Sequence, residues 1–163
     1  MSVRDFYDGL APDYHLVYQD WYAEVERQGA ALDRLIRTIH ENPVDVLDCS
    51  CGIGTQAIGL ARLGYRVQGT DISERSLERA RVEAARLGVD ISFAACDFRD
   101  LKPVEGAFDV VISCDNHSSR YRAVGRATIT RAAEDVGFTQ VTWYAGEDVR
   151  FHQPIMTAVN VTR

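Results

Sequence analysis

A short apolar run that ends in a pair of glycines constrains this chain more than any other feature. Val44-Asp45-Val46-Leu47-Asp48-Cys49 has the length and composition of a strand, and it runs directly into Ser50-Cys51-Gly52-Ile53-Gly54. A buried strand that enters a glycine turn and continues as a helix is the first part of a crossover unit. The alternation then repeats. Thr55 through Leu63 reads as a helix ended by Gly64, Tyr65 through Thr70 as a second strand, and Ser73 through Leu87 as a helix capped by Ser73 and closed by Gly88. Asp90 through Cys96 and Phe108 through Cys114 supply a third and a fourth strand, joined by a short connection containing Pro103 and Gly106. The predicted fold class is α/β, a doubly wound and mostly parallel sheet with helices on both faces.

Ahead of this unit, Trp21, Val25, Ala30, Ala31, Leu32, Leu35, Ile36 and Ile39 recur at three- and four-residue steps between Gln19 and His40, which predicts an amphipathic helix. An aromatic-rich arm precedes it, Phe6 to His15, whose Gly9 and Pro12 allow a short helix or a loop. Beyond the fourth strand, Arg126 through Val136 is helical and ended by Gly137. Thr139 to Tyr144 and Ile155 to Val161 then read as strands that pair antiparallel at one edge.

The size, 163 residues, suits one domain, and 46% apolar with 26% charged residues excludes a disordered or fibrous chain. There are 18 basic residues, 17 of them arginine and the other Lys102, against 24 acidic ones; they are scattered, and the net charge is −6. Nucleic-acid and acidic-membrane binding are thereby disfavoured. No apolar run approaches the ~18 residues that span a bilayer, and the mixed-charge start Ser2-Val3-Arg4-Asp5 is unlike a signal sequence, so a cytoplasmic location is expected. Cys49, Cys51, Cys96 and Cys114 read as reduced, semi-apolar residues at strand ends. A zinc site would want paired Cys-x-x-Cys or nearby histidines, which Cys49-Ser50-Cys51 does not provide, and no metal is expected.

In a doubly wound sheet a ligand binds beyond the carboxyl ends of the strands, where the first glycine turn and a helix N-terminus approach it. Gly52 and Gly54 occupy that turn, and Asp71, at the end of the second strand, is placed for ribose hydroxyls. A dinucleotide site wants G-x-G-x-x-G to hold a pyrophosphate. Here Gly54 is followed by Thr55-Gln56-Ala57, and Asp48 stands just before the loop. A carboxylate there suits a cationic ligand better than an anionic one, which favours S-adenosylmethionine, whose ammonium and sulfonium are both positive, over a nicotinamide dinucleotide.

Four strings in order resemble the class I S-adenosylmethionine-dependent methyltransferases: Val46-Leu47-Asp48-Cys49-Ser50-Cys51-Gly52-Ile53-Gly54-Thr55, Gly69-Thr70-Asp71-Ile72-Ser73, Ala95-Cys96-Asp97-Phe98 and Phe108-Asp109-Val110-Val111. The resemblance covers Val44 to Asn116, with Ser50 in place of the first loop glycine, and implies a Rossmann-like methyltransferase fold. The arm Phe6-Tyr7-Asp8-x-Leu10-Ala11, with Tyr14-His15, Asp20-Trp21 and Glu26-Arg27-Gln28, is similar to the glycine/sarcosine N-methyltransferase group.

By position, the resemblance implies that Ser50, Gly52 and Gly54 approach the methionine part of the cofactor and that Asp48 lies near its ammonium. It implies that Asp71, with Ile72 beside it, holds the ribose diol and that Asp97 and Phe98 face the adenine. Arg27 would pair with the methionine carboxylate, for which a planar guanidinium is suited, and Tyr7, Tyr14 and Trp21 would close over the cofactor. Asn116, at the end of the fourth strand, is the candidate catalytic residue, orienting an amine through its side-chain carbonyl. Methyl transfer is an in-line displacement that asks mainly for alignment and exclusion of water.

The family pattern breaks after Asn116. Only His117 to Gly125 precede the next recognisable segment, too few for the helix and strand expected there, so the chain reads as internally shortened. The expected organisation is one domain over 1–163: a helical arm (1–42), a cofactor-binding half (43–116) and a shortened C-terminal part (117–163). Either the C-terminal strands slide in beside the fourth strand or that edge stays open, in which case a homodimer would cover it. Two functions follow: methyl transfer to a small molecule, an amine such as glycine or sarcosine, or cofactor binding without catalysis by a truncated paralogue.

Overall fold

The computed structural model describes residues 2–114, 126–145 and 154–160. Helix α1 (Val3–Leu10) starts from a capping box in which the Ser2 hydroxyl accepts from the Asp5 amide and the Asp5 carboxylate accepts from the Ser2 nitrogen. A 3-10 turn, Tyr14–Val17, leads to α2 (Trp21–Ile39), which is capped by Asp20. The helix buries the stripe Trp21, Val25, Leu32, Leu35 and Ile36 that the periodicity marked. Then follow β1 (Asp45–Asp48), α3 (Thr55–Arg62), β2 (Arg66–Asp71), α4 (Glu74–Arg86), β3 (Ser92–Ala95), β4 (Val110–Cys114), α5 (Arg126–Asp135), β5 (Thr139–Tyr144) and β6 (Ile155–Val159). Element bounds differ from the expected ones by a residue or two; β6, for example, ends at Val159 rather than Val161.

The six strands lie in the order β3-β2-β1-β4-β6-β5; β3, β2, β1 and β4 are parallel, and β6 is antiparallel to both β4 and β5. This is the expected mostly parallel, doubly wound sheet with an antiparallel C-terminal edge. Of the two outcomes left open for β4, the structure has the first: β6 lies beside it, with Cys114 opposite Ile155 and Val110 opposite Val159.

Alternate side chains of the central strands feed two cores. Val46, Val67, Val110, Ile112 and Ile155 meet Leu32, Ile36, Leu60 and Leu77 of α2, α3 and α4 on one face. Leu47, Val111, Met156 and Ala158 meet Ile129, Ala132 and Ala133 of α5, together with Leu101 and Phe108, on the other. Helices α2 and α3 touch backbone to backbone: a Cβ on Gly59 would stand 2.5 Å from the Val25 carbonyl oxygen and 2.9 Å from the Gly29 Cα. The sheet winds in opposite directions from β1, to β2 on one side and β4 on the other. This creates a switch point at the carboxyl end of β1, where such folds open a crevice for a ligand. Among the described residues no helix is long and apolar enough to cross a membrane.

Candidate functional site

At that switch point the loop from Cys49 to Gly54 is tied to both neighbouring strands. The Cys49 amide donates to the Ile112 carbonyl at 3.0 Å and the Cys51 amide to the Thr70 carbonyl at 3.0 Å, so the turn is fixed by β4 on one side and β2 on the other. Gly52 (φ +53) and Gly54 (φ +88) adopt left-handed conformations that favour glycine. Around Gly52 nothing stands within 4 Å of where a Cβ would project, so the loop opens there onto free space. The hydroxyls of Ser50 and Ser113, 2.9 Å apart, join the ends of β1 and β4.

Asp71 clamps the second turn to the first. One of its carboxylate oxygens accepts from the Gly52 amide at 2.9 Å and the other from the Ser73 amide at 2.9 Å. Burial raises the Asp71 carboxyl above its usual range, opposed by the amides of Ser73, Gly52 and Ile72, while the nearby charge of Asp8 adds to the rise. The Gly52 amide is thus already given to a carboxylate, the reverse of a loop that offers its amides to a pyrophosphate.

Asp48 is buried beneath the loop. Its Oδ1 accepts a long bond, 3.3 Å, from the Ser50 amide, and its Oδ2 has no hydrogen-bond partner among the described residues. Burial pushes its carboxyl up to about 7, against the Ser50 amide and with the charge of Asp71 adding to the rise. An unpartnered acidic oxygen under a glycine loop fits a positively charged group, and the loop itself is open at Gly52. On both counts the residues present fit the methionine end of S-adenosylmethionine. The surrounding thiols of Cys49, Cys51 and Cys114 are free, buried and pushed upward by that burial, so they stay protonated.

One strand further on, Asp97 takes the Arg99 amide at 3.0 Å and pairs with its guanidinium, which holds the carboxyl below the usual range; the charge of Arg4 helps. Phe98, half-buried, packs against the Cys96 and Leu101 side of the core, and Ile72 is half-buried next to Asp71. The structure therefore gathers Asp48, Ser50, Gly52, Gly54, Asp71 and Ile72 at one end of the sheet, with Asp97 and Phe98 on the adjacent strand end.

The residues expected from the N-terminal segment divide differently. Trp21 is a docking residue rather than a cover: it is buried with Val25, Ile53, Ile58 and Ala84, and its indole N–H donates to the Thr55 hydroxyl at 2.9 Å. Tyr14 packs at the margin of the same cluster, and Tyr7 lies edge-on to Phe6 at 5.4 Å. Arg27 is paired within its own helix with Glu24 at 2.7 Å. Glu24 also accepts from Gln28, whose amide oxygen accepts from Gln56 at 2.7 Å, so a polar chain runs from Arg27 to the first turn of α3. Asn116 lies outside the described residues. Ser113 and Asp8, which adjoin the site, carry no local sequence signal, since only the packing of β4 and α1 brings them there.

Residues 46–136 match a methyltransferase domain family. An uncharacterised methyltransferase of Schizosaccharomyces pombe is 40% identical over 74 residues, covering 45% of this chain and 49% of that protein. A putative methyltransferase of Bacillus subtilis, YqeM, is 34% identical over 116 residues, covering 68% of this chain and 42% of that protein. The chain thus spans about half the length, or less, of these curated relatives. Among solved structures, magnesium protoporphyrin IX methyltransferase of Synechocystis with bound S-adenosylmethionine aligns over 97% of this chain and 95% of its own. The TM-score is 0.61 and the identity 20%, a likeness of fold alone.

Proposed function

The chain belongs to the methyltransferase domain family, and from that premise we propose that it transfers a methyl group from S-adenosylmethionine to a small-molecule amine of the glycine or sarcosine kind. The observation that carries the cofactor reading is Asp48, buried with one oxygen unpartnered among the described residues, beside a glycine loop whose Gly52 amide is taken by Asp71. That arrangement attracts a cation and leaves the Gly52 amide already committed rather than open to a pyrophosphate. The similarity of the arm to the glycine/sarcosine N-methyltransferase group supports the choice of acceptor.

When bound, the cofactor supplies an electrophilic methyl on a sulfonium. The protein's own residues have to hold and screen. Gly52 leaves room at the loop, Asp48 offers a negative charge beneath it, and Asp71 presents its carboxylate, already oriented by two amides, toward a ribose diol. Asp97 and Phe98 flank the adenine position. Arg27 would hold the methionine carboxylate in place of Glu24, and Asn116 would orient the acceptor amine.

A second reading, cofactor binding without turnover, is favoured by the direct pairing of β6 with β4, which leaves residues 115–125 as the whole connection from β4 to α5. Calorimetric titration with S-adenosylmethionine and S-adenosylhomocysteine, with NAD as control, tests the cofactor; methylation assays with glycine and sarcosine test the acceptor. Binding with turnover supports the first reading, binding without turnover on any amine supports the second, and absence of binding by folded protein overturns both.

A further inference from the structure

A chain of polar side chains joins α2 to the first turn of α3. Gln28 and Gln56 are almost fully buried, 1% and 6% exposed, and the Gln56 amide nitrogen donates to the Gln28 side-chain oxygen at 2.7 Å. That bond fixes the orientation of the Gln28 amide, so its NH2 faces Glu24 and donates to Oε2 at 2.9 Å. Arg27 completes the chain: its Nε lies 3.0 and 3.1 Å from the two Glu24 oxygens and its Nη2 lies 2.7 Å from Oε2. Gln56 stands two residues after Gly54, and beside it the Thr55 hydroxyl accepts from the Trp21 indole at 2.9 Å. Glu24 is therefore two hydrogen bonds away from the turn by which the glycine loop enters α3.

The two partners of Glu24 are unequal. Gln28 is buried and locked by Gln56, whereas the Arg27 side chain is 37% exposed and can be reached from outside. Glu24 does not become a bare charge when Arg27 turns away, because it keeps the Gln28 bond and sits in the first turn of α2, where the helix dipole favours an anion. A guanidinium that already holds one carboxylate through Nε and Nη2 offers the same fork to another. Against the incoming carboxylate stands Glu24 itself, which holds that fork and repels a second anion beside it.

Resting on the reading of Arg27 given above, we propose that Glu24 is a specificity-determining residue: it occupies Arg27 in the place of a ligand carboxylate, and so holds down the site's affinity for carboxylate-bearing ligands. Binding exchanges one carboxylate for the other on Arg27, and Gln28, held by Gln56, retains Glu24 during the exchange. Removing the Glu24 charge thus strengthens binding, the opposite of what the loss of a structural ion pair does.

The test is calorimetry of the full chain with two probes, S-adenosylmethionine and its decarboxylated form, which lacks only the carboxylate. Glu24→Gln binds S-adenosylmethionine about three- to fivefold more tightly, the size of the competing pair, and binds the decarboxylated probe no more tightly than the wild type does. Arg27→Ala weakens S-adenosylmethionine about tenfold, leaves the decarboxylated probe within about threefold, and abolishes the gain from Glu24→Gln in the double variant. A folded Glu24→Gln protein with unchanged or weaker affinity for S-adenosylmethionine overturns the proposal, as does one that tightens on both probes alike. So does an Arg27→Ala protein that keeps the wild-type preference between the probes, a result that stands whether or not Glu24→Gln folds. Binding of neither probe by the wild-type chain overturns the cofactor reading itself, and the exchange with it.

Discussion

Replacing Asp48 by Asn alters stability in a pH-dependent way whose size follows from the structure. The carboxyl is buried and raised from its usual 3.8 to about 7, chiefly by burial. A folded-state value above the unfolded one means that the native protein binds the proton more tightly. Stability is then unpenalised below about pH 4, falls as pH rises toward 7, and stays low above it. At about 1.4 kcal/mol per tenfold change in proton affinity, the full penalty is about 4 kcal/mol, of which about 2 to 3 kcal/mol accrues between pH 5 and pH 8. Asparagine is near-isosteric and does not titrate. Its Oδ1 can still accept from the Ser50 amide, but its NH2 replaces an unpartnered oxygen with an unpartnered donor, at a pH-independent cost of about 1 to 3 kcal/mol. At pH 5 the two costs are comparable, and on going to pH 8 the offset moves in favour of Asp48→Asn by about 2 to 3 kcal/mol. For a domain of this size that is about 5 to 10 °C in relative thermal midpoint. Thermal unfolding of both ligand-free proteins at the two pH values measures it, and a difference that stays constant with pH refutes the reasoning. The ligand side of the same linkage is proton release. Below about pH 7 the carboxyl is mainly protonated in the free protein, so S-adenosylhomocysteine, through its ammonium, is expected to displace a proton from the wild type and none from the variant.

Other residues give sharper structural outcomes. Gly59→Ala forces a Cβ to within 2.5 Å of the Val25 carbonyl oxygen and separates α2 from α3; a loss of about 3 kcal/mol or more is expected in urea unfolding, and a loss under 1 kcal/mol contradicts the close approach. Gly52→Val meets no neighbour within 4 Å but strains a positive φ, so it costs stability by about 1 to 2 kcal/mol. It also fills the open side of the loop, and calorimetry with S-adenosylhomocysteine should show affinity at least about tenfold weaker, whereas unchanged affinity would place the ligand elsewhere. Asp71→Ala frees the Gly52 and Ser73 amides together and removes the proposed ribose acceptor, so nucleoside binding is expected to fall by about two orders of magnitude while the domain still melts cooperatively.

Much of this molecule could be read along the chain because the signals are local. The run Val46-Leu47 between polar ends, the left-handed glycines after it, the Ser73 cap and the three- and four-residue stripe of α2 each depend on neighbours within a few residues. The roles of individual side chains were less legible. Trp21 was expected over the cofactor and is instead between helices, because Gly29 and Gly59 let α2 and α3 approach until its indole reaches Thr55. Arg27 was expected to pair with the methionine carboxylate of the cofactor, and in the structure its guanidinium lies on Glu24, the acidic residue that one helical turn brings beside it.

What the sequence determined by itself is the succession of strands, turns and helices and the acidic, glycine-bearing loop, since backbone conformation and hydrophobic period are written in short windows. Only the tertiary structure decided that β6 lies beside β4, that Asp8 of α1 meets Ser73 at the start of α4, and that one oxygen of Asp48 is left without a partner among the described residues. Those outcomes depend on which distant segments win the same space, and burial, unlike periodicity, is a property of the whole packed chain.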